Sequence, residues 1–108
     1  MKSMTFIRNQ ALLAAAMAAL AAPAVLAGDP PPQYAASCGA CHEAGVAGVV
    51  GAPAKGNADA WAPRLEKGMD ALVASVRNGL NAMPPGGLCN SCSDEDYKAL
   101  ITYMATAQ

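Results

Sequence analysis

Four stretches of the chain carry an apolar rhythm strong enough to name an element. Tyr34, Cys38 and Cys41 recur at i, i+4, i+7, the spacing of one helical face. Met69, Leu72, Val73 and Val76 repeat at i, i+3, i+4, i+7 and predict an amphipathic helix stopped by Asn78-Gly79. Tyr97, Leu100, Ile101 and Met104 give a last helix the same stripe. Ser93 with Asp96 reads as its capping box, and Asp94 and Glu95 suit its positive start. Between the first two, Asp59 is a candidate cap for a short helix from Trp61 to Lys67, with Pro63 tolerated in a first turn and Gly68 as the stop. Gly45 to Gly56, with four glycines and Pro53, and Leu80 to Cys92, with two prolines and two glycines, read as loops. No segment alternates as a strand does. The predicted fold is small and all-α, with about four short helices.

The first 27 residues have a different pattern. Lys2 and Arg8 precede an uninterrupted Ala, Leu and Met run from Ala11 to Ala22. Pro23 then breaks the run, and Val25-Leu26-Ala27 has the small-x-small ending of a signal-peptidase site. The run is shorter and less apolar than a membrane span requires, and Asp29 stands where a lipoprotein would need cysteine. Residues 1–27 are therefore expected to be a cleaved secretory signal, leaving a single domain over 28–108 in the periplasm. That mature part has five basic residues against eight acidic ones, a net charge near −3. The balance argues against a nucleic-acid partner and offers no basic face to lipid. A chain of this size is marginal as a one-core domain without a staple, and it brings few aromatics to its core.

The staple is written in Cys38-Gly39-Ala40-Cys41-His42, the C-x-x-C-H signature of covalent c-type haem attachment. At 100° per residue the three side chains fall in one wedge beside a helix, so two thioethers and an axial imidazole can reach one porphyrin. A redox dithiol would want a βαβ setting, and a Cys₄ zinc site would leave His42 without work. His42 is the one histidine of the chain, which rules out bis-histidine ligation. A thioether is then the natural sixth ligand. Met69 and Met104 lie on helical stripes as core filler. Met83 lies in the loop Asn81-Ala82-Met83-Pro84-Pro85, whose prolines remove slack, and is the favoured ligand. Without it the sixth site would be open, as in a haem enzyme subunit or gas-binding sensor. The backbone carbonyl of Pro53 is a candidate acceptor for the second ring nitrogen of His42. Trp61 and Arg64 are candidates for the haem propionates, against plain core and surface roles. The second pair, Cys89-x-x-Cys92, has Ser93 where a haem site needs histidine. In an exported chain it fits a local disulfide, with a redox-active dithiol as the sharper alternative.

These motifs in order, with Gly51-Ala52-Pro53, Ala60-Trp61-Ala62-Pro63-Arg64 and Lys67-Gly68-Met69-Asp70-Ala71-Leu72, make the chain resemble class I cytochrome c. Within it the chain is similar to the small bacterial cytochrome c5 family, over residues 33–105. The resemblance implies helices wrapped around one covalent haem c, iron held by His42 and Met83, and a relatively high potential. It implies a Cys89–Cys92 disulfide and a His42 contact to Pro53. It also implies electron carriage in the periplasm. The chain is expected to be a non-enzymatic carrier, a monomer that meets an electron donor and redox proteins such as a terminal oxidase or reductase only transiently. One departure stands out: Gly48-Val49-Val50-Gly51 lengthens the loop after His42.

Overall fold

The computed structural model describes residues 28–106, so the expected leader lies outside the described residues. Five helical segments are present among them: α1 (Gly39–His42), α2 (Ala44–Val50), α3 (Ala58–Leu65), α4 (Met69–Asn78) and α5 (Asp94–Thr106). The all-α expectation holds, with one segment more than the four anticipated.

The long stripes became helices as read. Along α4, Leu72 and Val73 are buried, and along α5 Tyr97, Leu100, Ile101 and Met104 are buried. The two helices pack on each other, and α3 closes against both through Trp61. The capping box of α5 forms in both directions. Ser93 Oγ accepts from the Asp96 N–H at 3.2 Å, and Asp96 Oδ2 accepts from the Ser93 N–H at 2.9 Å.

Three local expectations are corrected. The segment bearing the cysteine motif is not one long helix: it enters through tight turns over 32–38, and α1 is a single turn. Ser37 Oγ donates to the Gln33 carbonyl, and the Gly39 N–H reaches back five residues to Tyr34 O at 2.8 Å, so the usual i to i−4 pattern cannot start earlier. The glycine-rich stretch after His42 is partly helical. Glu43, in an extended conformation, precedes α2, Ala47 buries its side chain, and Gly51 at φ 73° closes the helix by donating to Ala47 O. Anchored ends and a buried alanine offset the roughly 1 kcal/mol that each interior glycine costs. Finally, the cap of α3 is Asn57, whose side chain accepts from the Ala60 N–H, and not Asp59. Pro63 stands in the second turn, where its missing N–H leaves the Asp59 carbonyl without its helical donor, and the helix runs only to Leu65. Gly68, at φ 90°, precedes α4 and does not end α3.

Candidate functional site: a haem cavity between the cysteine motif and a proline-braced loop

A cavity of about 500 Å³ opens between α1, α3, α4 and the loop that follows α4. Cys38, Cys41 and His42 line it, and so do Leu80, Ala82, Met83 and Pro84. Trp61, Leu72, Val76, Ile101 and Met104 supply apolar wall, with Arg64 and Lys67 as the lining cations. Cys38 and Cys41 are unpaired thiols, half-buried, and burial pushes the Cys38 thiol up from its ordinary pKa.

His42 is buried, and its Nδ1 lies 2.8 Å from the Pro53 carbonyl oxygen. A carbonyl only accepts, so Nδ1 carries the proton and Nε2 holds the free lone pair. The crosspiece that presents this carbonyl is bonded at each successive residue. Ala54 O accepts from Trp61 Nε1 at 2.9 Å, the Lys55 N–H donates to His42 O at 2.7 Å, and the Gly56 N–H donates to Met104 O at 2.8 Å. Gly48 to Gly51 form the last residues of α2 and its cap, and the His42–Pro53 contact is made.

The loop after α4 is equally constrained. Leu80 and Met83 exchange backbone hydrogen bonds, 3.0 Å from Leu80 N–H to Met83 O and 2.9 Å in return. Asn81 between them takes a left-handed φ of 52°, which asparagine tolerates. Gly79, at φ 82° and ψ 156°, lies so close that a Cβ there would be 3.0 Å from Met83 O and from Pro85 N. Beyond Met83, the Gly86 N–H donates to Val76 O at 2.7 Å, fastening the loop to α4. Cys89 and Cys92 form a disulfide, and buried Tyr97 donates its hydroxyl to Cys89 O at 2.8 Å.

Of the three described methionines, Met83 and Met104 line the cavity. Met69 does not, and packs at the edge of the core. Met104 belongs to the buried stripe of α5. Trp61 lies on the cavity with its ring stacked near that of His42, centroids 5.9 Å apart. Its indole N–H is committed to Ala54 O, while Arg64 gives one of its five N–H groups to Ala60 O of its own helix and lines the cavity with the rest of its guanidinium. Sequence reasoning missed the bonded crosspiece at 54–56 and the Leu80–Met83 pair. Asn81 followed by a small residue, just after Gly79, was the available turn signal for the second. For the first there was none.

The donor set fits a c-type haem. Two free thiols and an imidazole with one committed nitrogen line one apolar-walled cavity, and a thioether lines it from the loop after α4. Among the described residues no group of three or more His, Cys, Asp or Glu side chains is arranged to hold a metal ion, and Cys89 and Cys92 are bonded to each other.

Comparison with known proteins agrees. A family model described as cytochrome C oxidase, cbb3-type, subunit III matches residues 27–104. The chain is 43% identical over 70 residues to cytochrome c5 of Ectopseudomonas mendocina, covering 63% of this chain and 77% of that protein. It is 44% identical over 70 residues to cytochrome c5 of Azotobacter vinelandii, covering 63% and 81%. A chain in the crystal structure of an electron transfer complex of nitrite reductase with cytochrome c is 38% identical. It superposes with a TM-score of 0.58, covering 71% of this chain and 95% of that one. With one C-x-x-C-H motif for one covalent haem c in an all-α shell, the chain belongs to the class I cytochromes c, as a monohaem electron carrier resembling cytochrome c5.

Proposed function

We propose that the protein is a periplasmic one-electron carrier in which Cys38 and Cys41 would bond a haem and His42 Nε2 and Met83 Sδ would be its iron ligands. The observation that carries this reading is the convergence of all four side chains on one cavity. Bound there, the haem supplies a one-electron ferrous/ferric couple. The rest is the work of the chain. Donation from Nδ1 to Pro53 O fixes the tautomer and ring plane of His42 and makes Nε2 the stronger ligand. The Leu80–Met83 pair, Gly79 and the two prolines hold the thioether in place, so little entropy is lost when it binds. Soft sulfur and an apolar wall both favour the less charged ferrous state and so raise the potential. With His42 and Met83 both on the iron, no position would be left for oxygen or peroxide, which suits a carrier and not an enzyme.

Residues 1–27 fit a cleaved export signal. The Cys89–Cys92 disulfide suits an oxidising compartment, and no described helix is long and apolar enough to cross a membrane. Partners dock weakly and transiently at the cavity mouth, as redox carriers must leave quickly. By analogy with the cytochrome in the nitrite reductase complex, they are redox proteins such as a terminal oxidase or reductase and an electron donor, met by a monomer.

The test is Met83→Ala in the haem-loaded protein. The wild type should show the ferric methionine-to-iron charge-transfer band, and the variant should lose it and gain rapid carbon monoxide binding when reduced. A band that survives the substitution, or rapid carbon monoxide binding by the reduced wild type, overturns the ligand assignment. The second result points instead to an open-site sensor or enzyme subunit.

A further inference from the structure

Glu43 follows His42 directly, and Lys55 lies two residues after Pro53, so the two chains of residues that meet at the His42–Pro53 hydrogen bond continue side by side. Three contacts cross between them. The first is His42 Nδ1 to Pro53 O at 2.8 Å, and the second is Lys55 N–H to His42 O at 2.7 Å. The third is outermost: Lys55 Nζ to Glu43 Oε1 at 2.9 Å.

That outer contact is built into the fold. The same Oε1 accepts a 2.7 Å hydrogen bond from the hydroxyl of Tyr34, a buried residue of the turns before α1. The Lys55 ammonium also lies over two rings, 5.3 Å from the centroid of Tyr34 and 5.9 Å from that of Tyr103 on α5. The two rings meet edge to face at 4.9 Å. Lys55 and Glu43 are both only partly exposed, with side-chain accessibilities of 27% and 46%. A surface ion pair free at both ends contributes little. Here one carboxylate oxygen is fixed by two donors, and the cation is fixed by its own backbone bond and by two aromatic faces.

We infer that Tyr34, Glu43 and Lys55 form an outer brace that holds the Pro53 carbonyl against His42, and so act as positioning residues for the imidazole. The inference rests on His42 being the iron ligand proposed above. Breaking the brace leaves the 53–55 crosspiece held by its backbone bonds and by Trp61 alone, without the side-chain clamp at its outer edge, and so loosens the bond from Nδ1. A histidine that donates less strongly through Nδ1 is a poorer electron donor through Nε2, which favours the ferrous state and raises the potential.

The experiment uses the haem-loaded full protein and two isosteric or near-isosteric variants, Glu43→Gln and Lys55→Met, with Lys55→Arg as the conservative rescue. The ferrous form is diamagnetic, so solvent exchange of the His42 Nδ1 proton is read by NMR beside the reduction potential. Glu43→Gln and Lys55→Met should each speed that exchange about tenfold or more and raise the potential, and Lys55→Arg should restore both toward wild type. Arg77→Met, which breaks the exposed Arg77–Asp94 pair on α4 and α5, should leave both unchanged and exclude a general loosening. Wild-type exchange and potential in both brace variants, with the His42 ring still showing its iron-bound shifts, overturn the brace alone. Absence of those shifts in the wild type overturns the ligand assignment and the brace with it.

Discussion

Gly79→Ala is the substitution that most sharply separates the loop's geometry from its composition. At φ 82° and ψ 156° the backbone occupies a region that essentially only glycine enters, and holding another residue there costs of order 1–3 kcal/mol. The added methyl would also meet Met83 O and Pro85 N, each at 3.0 Å. Both are backbone atoms, so no flexible side chain can give way, and overpacking of this kind adds about 1–3 kcal/mol. Partial relaxation makes the total about 2–4 kcal/mol, a large share of the stability of a small domain. The relief must come from the Met83 loop, so the loss of stability and the loss of the methionine-to-iron band should appear together. The assay is guanidinium unfolding followed by far-ultraviolet circular dichroism, with the charge-transfer band recorded on the same sample. Gly48→Ala is the control. Gly48 lies in α2, and nothing stands within 4 Å of the place its added methyl would take. Alanine there should stabilise by about 0.5–1 kcal/mol. Gly79→Ala within about 0.5 kcal/mol of wild type, with its band intact, refutes the argument.

Other outcomes follow from the same packing. Tyr97→Phe removes the buried hydroxyl bonded to Cys89 O and should cost about 0.5–1.5 kcal/mol in unfolding free energy. That is the net worth of one hydrogen bond, because Cys89 O keeps the Cys92 N–H as a second donor. Leu100→Ala, at a side chain 1% exposed in the middle of α5, should cost about 2–5 kcal/mol in the same titration. The Tyr34 phenol is held well above its ordinary pKa, first by burial and then by its bond to Glu43. A group raised in the folded state contributes stability that is complete below its unfolded value of 10.0 and is lost as pH climbs above it. Stability should therefore fall more steeply above pH 10 in wild type than in Tyr34→Phe, as measured by denaturant midpoints along an alkaline series.

What the chain revealed in advance depended on whether a feature was local. The stripes of α4 and α5 were legible because one helical face buries Leu72, Val73, Leu100 and Ile101 at regular spacing. The Ser93–Asp96 box was legible because both partners lie within one turn. The motif from Cys38 to His42 and the Met83 loop carried their chemistry in residue type and order, and the structure places them on one cavity. Helix α2 was hidden because Gly45 and Gly48 signal a loop. Only tertiary burial of Ala47 and the left-handed turn at Gly51 make a helix of it. Asn57 was passed over for Asp59 because both are cap residues two positions apart, and the choice is made by where the crosspiece ends. The Glu43–Lys55 and Trp61–Ala54 contacts join residues 12 and 7 apart with no periodicity to announce them.

The central claim, that Cys38 and Cys41 carry a haem covalently, is tested most directly by the intact mass of the exported, purified protein under denaturing conditions. The mass should equal that of the mature chain with its Cys89–Cys92 disulfide plus one haem, and the haem absorbance should travel with the polypeptide. A colourless chain at the bare polypeptide mass, or a haem that separates from it on denaturation, would contradict the account.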